Sequence, residues 1–199
     1  MKIKICGLTK AENSRQVAML GADAIGLVFY AQSPRCVSAK TAVEIINALP
    51  PFVSRVGLFV NAEADFIDEI LCEVPLDTLQ FHGAEMPAEC GQYGLPFIKA
   101  IPMKNTTNLA QIADEFHQSS ALLLDTPSAE FGGSGQAFDL ALITQIDKPI
   151  ILAGGLNAEN VAAAIKQANP YAVDVSSGVE SSKGIKDIKK VKQFMLNCQ

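Results

Sequence analysis

Eight short apolar runs, each followed by a stretch of helical periodicity, recur along this chain, and no other feature narrows its fold as far. The runs are Ile3 to Cys6, Ala24 to Phe29, Ser54 to Val60, Thr78 to Phe81, Phe97 to Ile101, Ala121 to Leu124, Ile150 to Leu152 and Ala172 to Val175. They are brief and almost continuously apolar, as parallel strands covered on both faces are. Helical signals lie between them. Thr9 and Glu12 have capping-box spacing, and Asn61 and Asn157 stand where side-chain caps are wanted. Phe66, Ile67, Ile70 and Leu71 share one helical face, Val161, Ile165 and Ala168 another, and Ile185, Ile188 and Val191 form the stripe of a last helix. Eight strand-then-helix units predict an α/β chain folded as a single (β/α)8 TIM barrel over residues 1–199, with no linker or second domain. The competing architecture, an open doubly wound sheet, usually carries a GxGxxG turn after its first strand; here that turn reads Cys6-Gly7-Leu8-Thr9.

Composition removes several function classes. No apolar run reaches the roughly 18 residues of a membrane span, and no basic region leads into an apolar one at the start, so the expected compartment is the cytoplasm. Sixteen basic residues stand against 21 acidic ones, a net charge of −5. The one dense basic stretch, Lys183 to Lys192, reads as the polar face of the terminal helix, which argues against a nucleic-acid partner. Five cysteines with no CxxC pair, and only two histidines, give neither a disulfide framework nor a metal cluster. The expectation is chemistry without metal or cofactor.

A barrel keeps its active site at the C-terminal ends of its strands. There the chain reads ILAGGLNAENV, with Gly154 and Gly155, and VDVSSGVE, with Ser176, Ser177 and Gly178. Either loop alone is equally well a tight turn. Both together, after the seventh and eighth strands, predict a phosphate site, where backbone N–H groups meet an anion. Asp125 follows a run of leucines; a carboxyl group at the mouth of an apolar barrel suits a general acid, since burial disfavours its charged form. The loop beyond it, with glycines between Gly132 and Gly135, is long enough to predict a mobile functional loop. Arg35, in FYAQSPRCVS, offers a fork for a carboxylate. Read from residues alone, Cys6 is an ordinary buried cysteine.

The succession KICGLT, GLVFYAQSPRCVS, VGLFVN, LQFHG, LLLDT with GGSGQAFD, ILAGGLNAENV, and VDVSSGVE followed by GIKD resembles the phosphoribosylanthranilate isomerase family nearly end to end. AGGL is shared with other phosphate-binding barrels, whereas KICG combined with SPR, QFHG and DVSSGVE is specific. The resemblance implies an Amadori rearrangement of a phosphorylated small molecule in tryptophan biosynthesis, with no cofactor. It assigns Asp125 as the general acid and Cys6 as the general base, the thiolate being favoured by a nearby helix N-terminus. It further implies Arg35 as the holder of the anthranilate carboxylate, and the backbones of Gly154, Gly155, Ser177 and Gly178 as the phosphate cradle. Gln80 and His82 become positioning residues, and Asp174 orients the neighbouring loop. A flavin oxidoreductase on the same barrel would be longer, a degenerate binding barrel would have lost Cys6 or Asp125, and the histidine-pathway relative is expected to carry an aspartate in place of Cys6. Homodimer and monomer are both open.

Overall fold

The computed structural model describes residues 1–127 and 138–199. Within them eight parallel strands close into a barrel in chain order: β1 (Lys2–Cys6), β2 (Ala24–Val28), β3 (Ser54–Phe59), β4 (Thr78–Phe81), β5 (Phe97–Pro102), β6 (Ala121–Asp125), β7 (Ile150–Leu152) and β8 (Ala172–Val175). β8 closes onto β1 with Asp174 opposite Lys4. Helices α1 (Ala11–Met19), α2 (Ala39–Asn47), α3 (Ala64–Glu73), α4 (Pro87–Gly91) and α5 (Leu109–Glu115) follow the first five strands; α6 (Val161–Ala168) follows β7 and α7 (Ile188–Asn197) follows β8. After β6 the described residues contain one 3-10 turn, Leu140–Leu142, where the repeat predicts a helix. The predicted glycine loop from Gly132 to Gly135 lies outside the described residues. No helix among the described residues is long and apolar enough to cross a membrane.

The two-residue period of each strand sorts its side chains between two layers. Ile3, Ile5, Ile25, Leu27, Leu79, Phe81, Leu122 and Leu124 join the large cluster packed with residues of the helices. Alternate positions such as Ile98, Ala100, Leu123 and Ile151 form a separate cluster, and Cys6, Val28, Leu58 and Val60 another. Each fully buried Leu or Ile of the outer layer contributes roughly 1.5–3 kcal/mol of burial free energy. The inner layer is not wholly apolar, because Lys4, Gln80, Asp125 and Asp174 are all buried.

Several local expectations differ from the observed starts of helices. Thr9 does not cap α1: its Oγ1 donates to the Gly184 carbonyl at 2.8 Å, and Lys10 stands at the N-cap without a side-chain bond. Asn61 adopts φ 47° and its Oδ1 accepts from Ala84 N at 2.7 Å, so it ties two loops together three residues before α3 begins. Asn157 accepts from the amides of Glu159 and Asn160 and shapes a turn ahead of α6. For Thr9 and Asn61 a longer-range partner outcompetes the helix end, whereas Asn157 bonds locally within the turn before it. Phe66 is 41% exposed while Ile67 and Ile70 are buried, so the α3 stripe is narrower than its sequence pattern. Ile185 leaves the last helix altogether: β9 (Glu180–Ser182) and β10 (Ile185–Lys186) form an antiparallel hairpin, and Asp187 caps α7 through Lys189 N and Lys190 N.

Candidate active site

A cavity of about 780 Å³ opens at the C-terminal ends of the strands and takes in every predicted site residue except Gly178. Gly178 stands just behind it, so close to the Leu156 carbonyl that a side chain would strike that backbone. The other site residues come from six strand ends or the loops after them. Cys6, Gln80 and Asp174 lie within β1, β4 and β8, and Asp125 is itself the last residue of β6.

Cys6 is 5% exposed, and burial pushes its thiol above the ordinary range. The ammonium groups of Lys4 and Lys186 pull it back down, and Asp174 adds to the rise. This corrects the expectation of a thiol acidified by a helix end: α1 starts five residues on, and desolvation outweighs the neighbouring charges. Lys4 donates to Asp174 Oδ1 at 2.9 Å in a buried pair. Burial works against the Lys4 charge, yet Asp174 and the thiol together hold its pKa above the usual lysine value. Asp174 therefore spends one carboxyl oxygen on the lysine beneath the thiol.

The expectation that the stretch Lys183 to Lys192 is the polar face of a terminal helix fails at Lys186, which is only 2% exposed. Its Nζ donates to Ser176 O at 3.1 Å and Glu180 Oε1 at 2.8 Å. Burial lowers its pKa, and Glu180 opposes that fall. Glu180 also accepts two bonds from Arg35, Nε to Oε1 and Nη2 to Oε2, both 2.8 Å. Burial of Glu180 is overcome by these two cations, which hold its carboxyl below the usual glutamate range. Arg35 thus commits its side edge to a carboxylate of the protein, and the Nη1–Nη2 edge is what remains for a second one.

His82 and Asp125 meet across the mouth. His82 Nε2 lies 3.1 Å from Asp125 Oδ2, Gln80 Nε2 lies 3.0 Å from His82 Nδ1, and Thr126 N donates to Asp125 Oδ1 at 2.7 Å. Beside Asp125 and Thr126, at the end of the neighbouring β7, Gly154 and Gly155 take positive φ of 79° and 64°, a conformation glycine adopts without strain. Their amides have no acceptor among the described residues. Asn160 braces this loop, donating to Gly155 O at 3.0 Å and accepting from Asn157 N at 2.9 Å. Ser177 and Gly178 begin a 3-10 turn after β8.

Sequence reading missed Lys4, Glu180 and Lys186. Lys4 carried a usable signal, since the alternation Lys-Ile-Lys-Ile-Cys puts it on the face of Cys6. Lys186 had none, being one lysine among several. The assembled site holds a thiol near two ammonium groups, a carboxyl group between an imidazole and a backbone N–H, a half-committed guanidinium and open backbone amides. That set can move a proton between two atoms of a small anion.

Residues 3–197 match the family described as N-(5'phosphoribosyl)anthranilate (PRA) isomerase. The chain is 53% identical over 196 residues to the N-(5'-phosphoribosyl)anthranilate isomerase of Nitrosococcus oceani, covering 98% of this chain and 95% of that one. It is 54% identical to the one of Pseudomonas fluorescens, with 98% and 97% covered. Among solved structures, the phosphoribosyl anthranilate isomerase of Thermotoga maritima superposes with a TM-score of 0.91 at 40% identity, over 100% of this chain and 98% of that one. Another, solved in complex with reduced 1-(o-carboxyphenylamino)-1-deoxyribulose 5-phosphate, gives 0.85 at 36% identity over the same shares. With its barrel and nearly its whole length in common with these proteins, the chain belongs to the N-(5'-phosphoribosyl)anthranilate isomerase family.

Proposed function

We infer that this protein converts N-(5'-phosphoribosyl)anthranilate into 1-(2-carboxyphenylamino)-1-deoxyribulose 5-phosphate, an Amadori rearrangement of L-tryptophan biosynthesis. The observation that carries this reading is the arrangement in one cavity of a buried thiol, a carboxyl group and the two glycine loops. Asp125 protonates the furanose oxygen and the ring opens to an iminium, which acidifies the hydrogen on C2. Cys6, as thiolate, takes that proton and leaves an enolamine that tautomerises to the ketone. The ammonium groups of Lys4 and Lys186 counter part of the burial that disfavours the thiolate.

The remaining residues hold the substrate. Gly154, Gly155, Ser177 and Gly178 present backbone amides to the phosphate. Arg35 offers its Nη1–Nη2 edge to the anthranilate carboxylate while Glu180 keeps the guanidinium in place. Gln80 and His82 position the acid, and Asp174 holds Lys4. The acidic protein relies on these local donors, with Lys183 at the rim, to attract an anion.

We place the enzyme in the cytoplasm, where its five free cysteines stay reduced. A Thermotoga maritima relative is described as dimeric. Phe52, fully exposed at φ 69° ahead of β3, is the side chain a second copy would cover, and sedimentation of the purified chain decides between monomer and dimer. Purified protein mixed with phosphoribosylanthranilate should yield the ketose phosphate, and Cys6→Ser should lose most of that turnover. A Cys6→Ser variant within about tenfold of native kcat, only ~1.4 kcal/mol of barrier, would remove Cys6 as the base.

A further inference from the structure

Gln80 lies within β4, is fully buried, and carries the one buried side-chain polar atom without a partner among the described residues, its Oε1. Turning the amide over would bring Oε1 to His82 Nδ1. The two orientations make opposite demands on the imidazole. With Nε2 facing it, as observed at 3.0 Å, Nδ1 must be the acceptor, so a neutral ring carries its hydrogen on Nε2 and donates toward Asp125 Oδ2. With Oε1 facing it, Nδ1 must carry the hydrogen, and a neutral ring would turn a lone pair on Asp125.

We propose that His82 is a positioning residue for Asp125, locked by Gln80 as its Nε2–H tautomer, so that the carboxylate left by proton transfer forms between two waiting N–H donors, His82 Nε2 and Thr126 N. The inference rests on Asp125 being the acid. The donors are in place before the charge appears, and their bonds strengthen as it develops. Their effect therefore falls on kcat rather than on substrate binding. No proton passes through His82: the transferred proton goes from Asp125 to the ring oxygen, and the imidazole keeps its own. The unpaired Oε1 is what the lock leaves behind.

The loop carrying His82 is anchored from below. Glu85 accepts from the amides of Asn61 at 2.7 Å and Gly83 at 2.9 Å, and Lys99 Nζ bonds both Glu85 Oε2 and Gly83 O at 2.7 Å. This buried pair fixes the backbone directly after His82, so the ring has little room to trade partners.

The chain has only two histidines, His82 and His117, so their ring nitrogens can be assigned by 15N NMR of the unaltered protein. At neutral pH His82 should appear neutral with its hydrogen on Nε2. A neutral ring protonated on Nδ1, or an imidazolium, overturns the proposal whatever the variants do. In kinetics, His82→Leu should lower kcat about 10²-fold with KM changed less than about threefold, as removal of a single charge-stabilising donor does. His82→Gln, which returns an N–H near the Nε2 position, should regain at least a tenth of native kcat. A rise in KM alone, or no rescue by Gln, overturns it. The double variant His82→Leu/Asp125→Asn should be no slower than Asp125→Asn, since His82 acts through that carboxyl. Multiplying losses would show His82 acting elsewhere. If Asp125→Asn by itself keeps native kcat, the acid assignment fails first, and the tautomer measurement still reports on the lock.

Discussion

Gly26 sits beside the proposed base, and adding one methyl group there tests how strictly the thiol must be placed. An ideal Cβ on Gly26 would lie 2.5 Å from Cys6 Sγ and 3.0 Å from Cys6 Cα. Ordinary contact is about 3.5 Å or more, so the Gly26→Ala variant needs roughly 1 Å of relief. Gly26 and Cys6 are cross-strand partners in β2 and β1, and Gly7 N donates to Gly26 O at 2.9 Å, so the sheet resists and the thiol moves first. A misplacement of that size costs about 10²-fold in rate. Overpacking of the inner layer costs about 1–3 kcal/mol of stability, which at ~2–4 °C per kcal/mol lowers the melting temperature by several degrees. Gly57→Ala is the control: its Cβ would strike Leu76 Cδ1 in the outer layer, away from the cavity, and should lower the melting temperature without touching kcat. Steady-state kinetics and thermal unfolding are measured on the same preparations. If Gly26→Ala melts like Gly57→Ala and keeps kcat within about threefold of native, the thiol's position does not limit turnover and the base assignment fails with it.

Arg35→Met should act mainly on KM, lowering kcat/KM by about tenfold to a hundredfold for a lost charge-assisted bond of roughly 1.5–3 kcal/mol, whereas Asp125→Asn should lower kcat by 10²–10⁴-fold. The opposite pattern in a full kinetic comparison would exchange the two roles. Lys186→Met removes a cation that pulls the Cys6 thiol down, so thiolate formation, followed by ultraviolet absorbance against a Cys6→Ser blank, should shift to higher pH. An unmoved titration would mean that Lys186 serves only Glu180. Burial pushes Cys90 to about 12 and Cys198 to about 11, above their unfolded value of 9.0. The folded state then holds the proton more tightly, so this stabilisation is complete below pH 9 and is lost as pH rises through about 11 to 12. Cys198→Ala should flatten the fall of melting temperature between pH 9 and 11; an unchanged slope refutes the linkage.

The barrel was legible in the chain because each strand depends on a local pattern. A run such as Ala121-Leu-Leu-Leu can be buried on both faces only in a sheet covered by helices, and eight such runs leave little but closure. That Asp125, Arg35 and the glycine loops share one cavity was legible for a related reason, since strand ends in a barrel converge wherever the turns between them lie, while Cys6 was marked only by the family resemblance. What depended on partners distant in sequence was not. Thr9 exchanged a helix cap for the Gly184 carbonyl, 175 residues away, and Asn61 left its helix for Ala84. Lys186 looked like solvent-facing charge until the hairpin of β9 and β10 folded it under Ser176 and against Glu180. Whether the Cys6 thiol sits above or below its ordinary pKa was likewise a tertiary decision, because burial and charge oppose each other there and only their distances settle which prevails. The pattern of apolar residues determined which backbone forms; the pairing of buried polar groups, Lys4 with Asp174 and Arg35 with Glu180 across most of the chain, decided what that backbone can do.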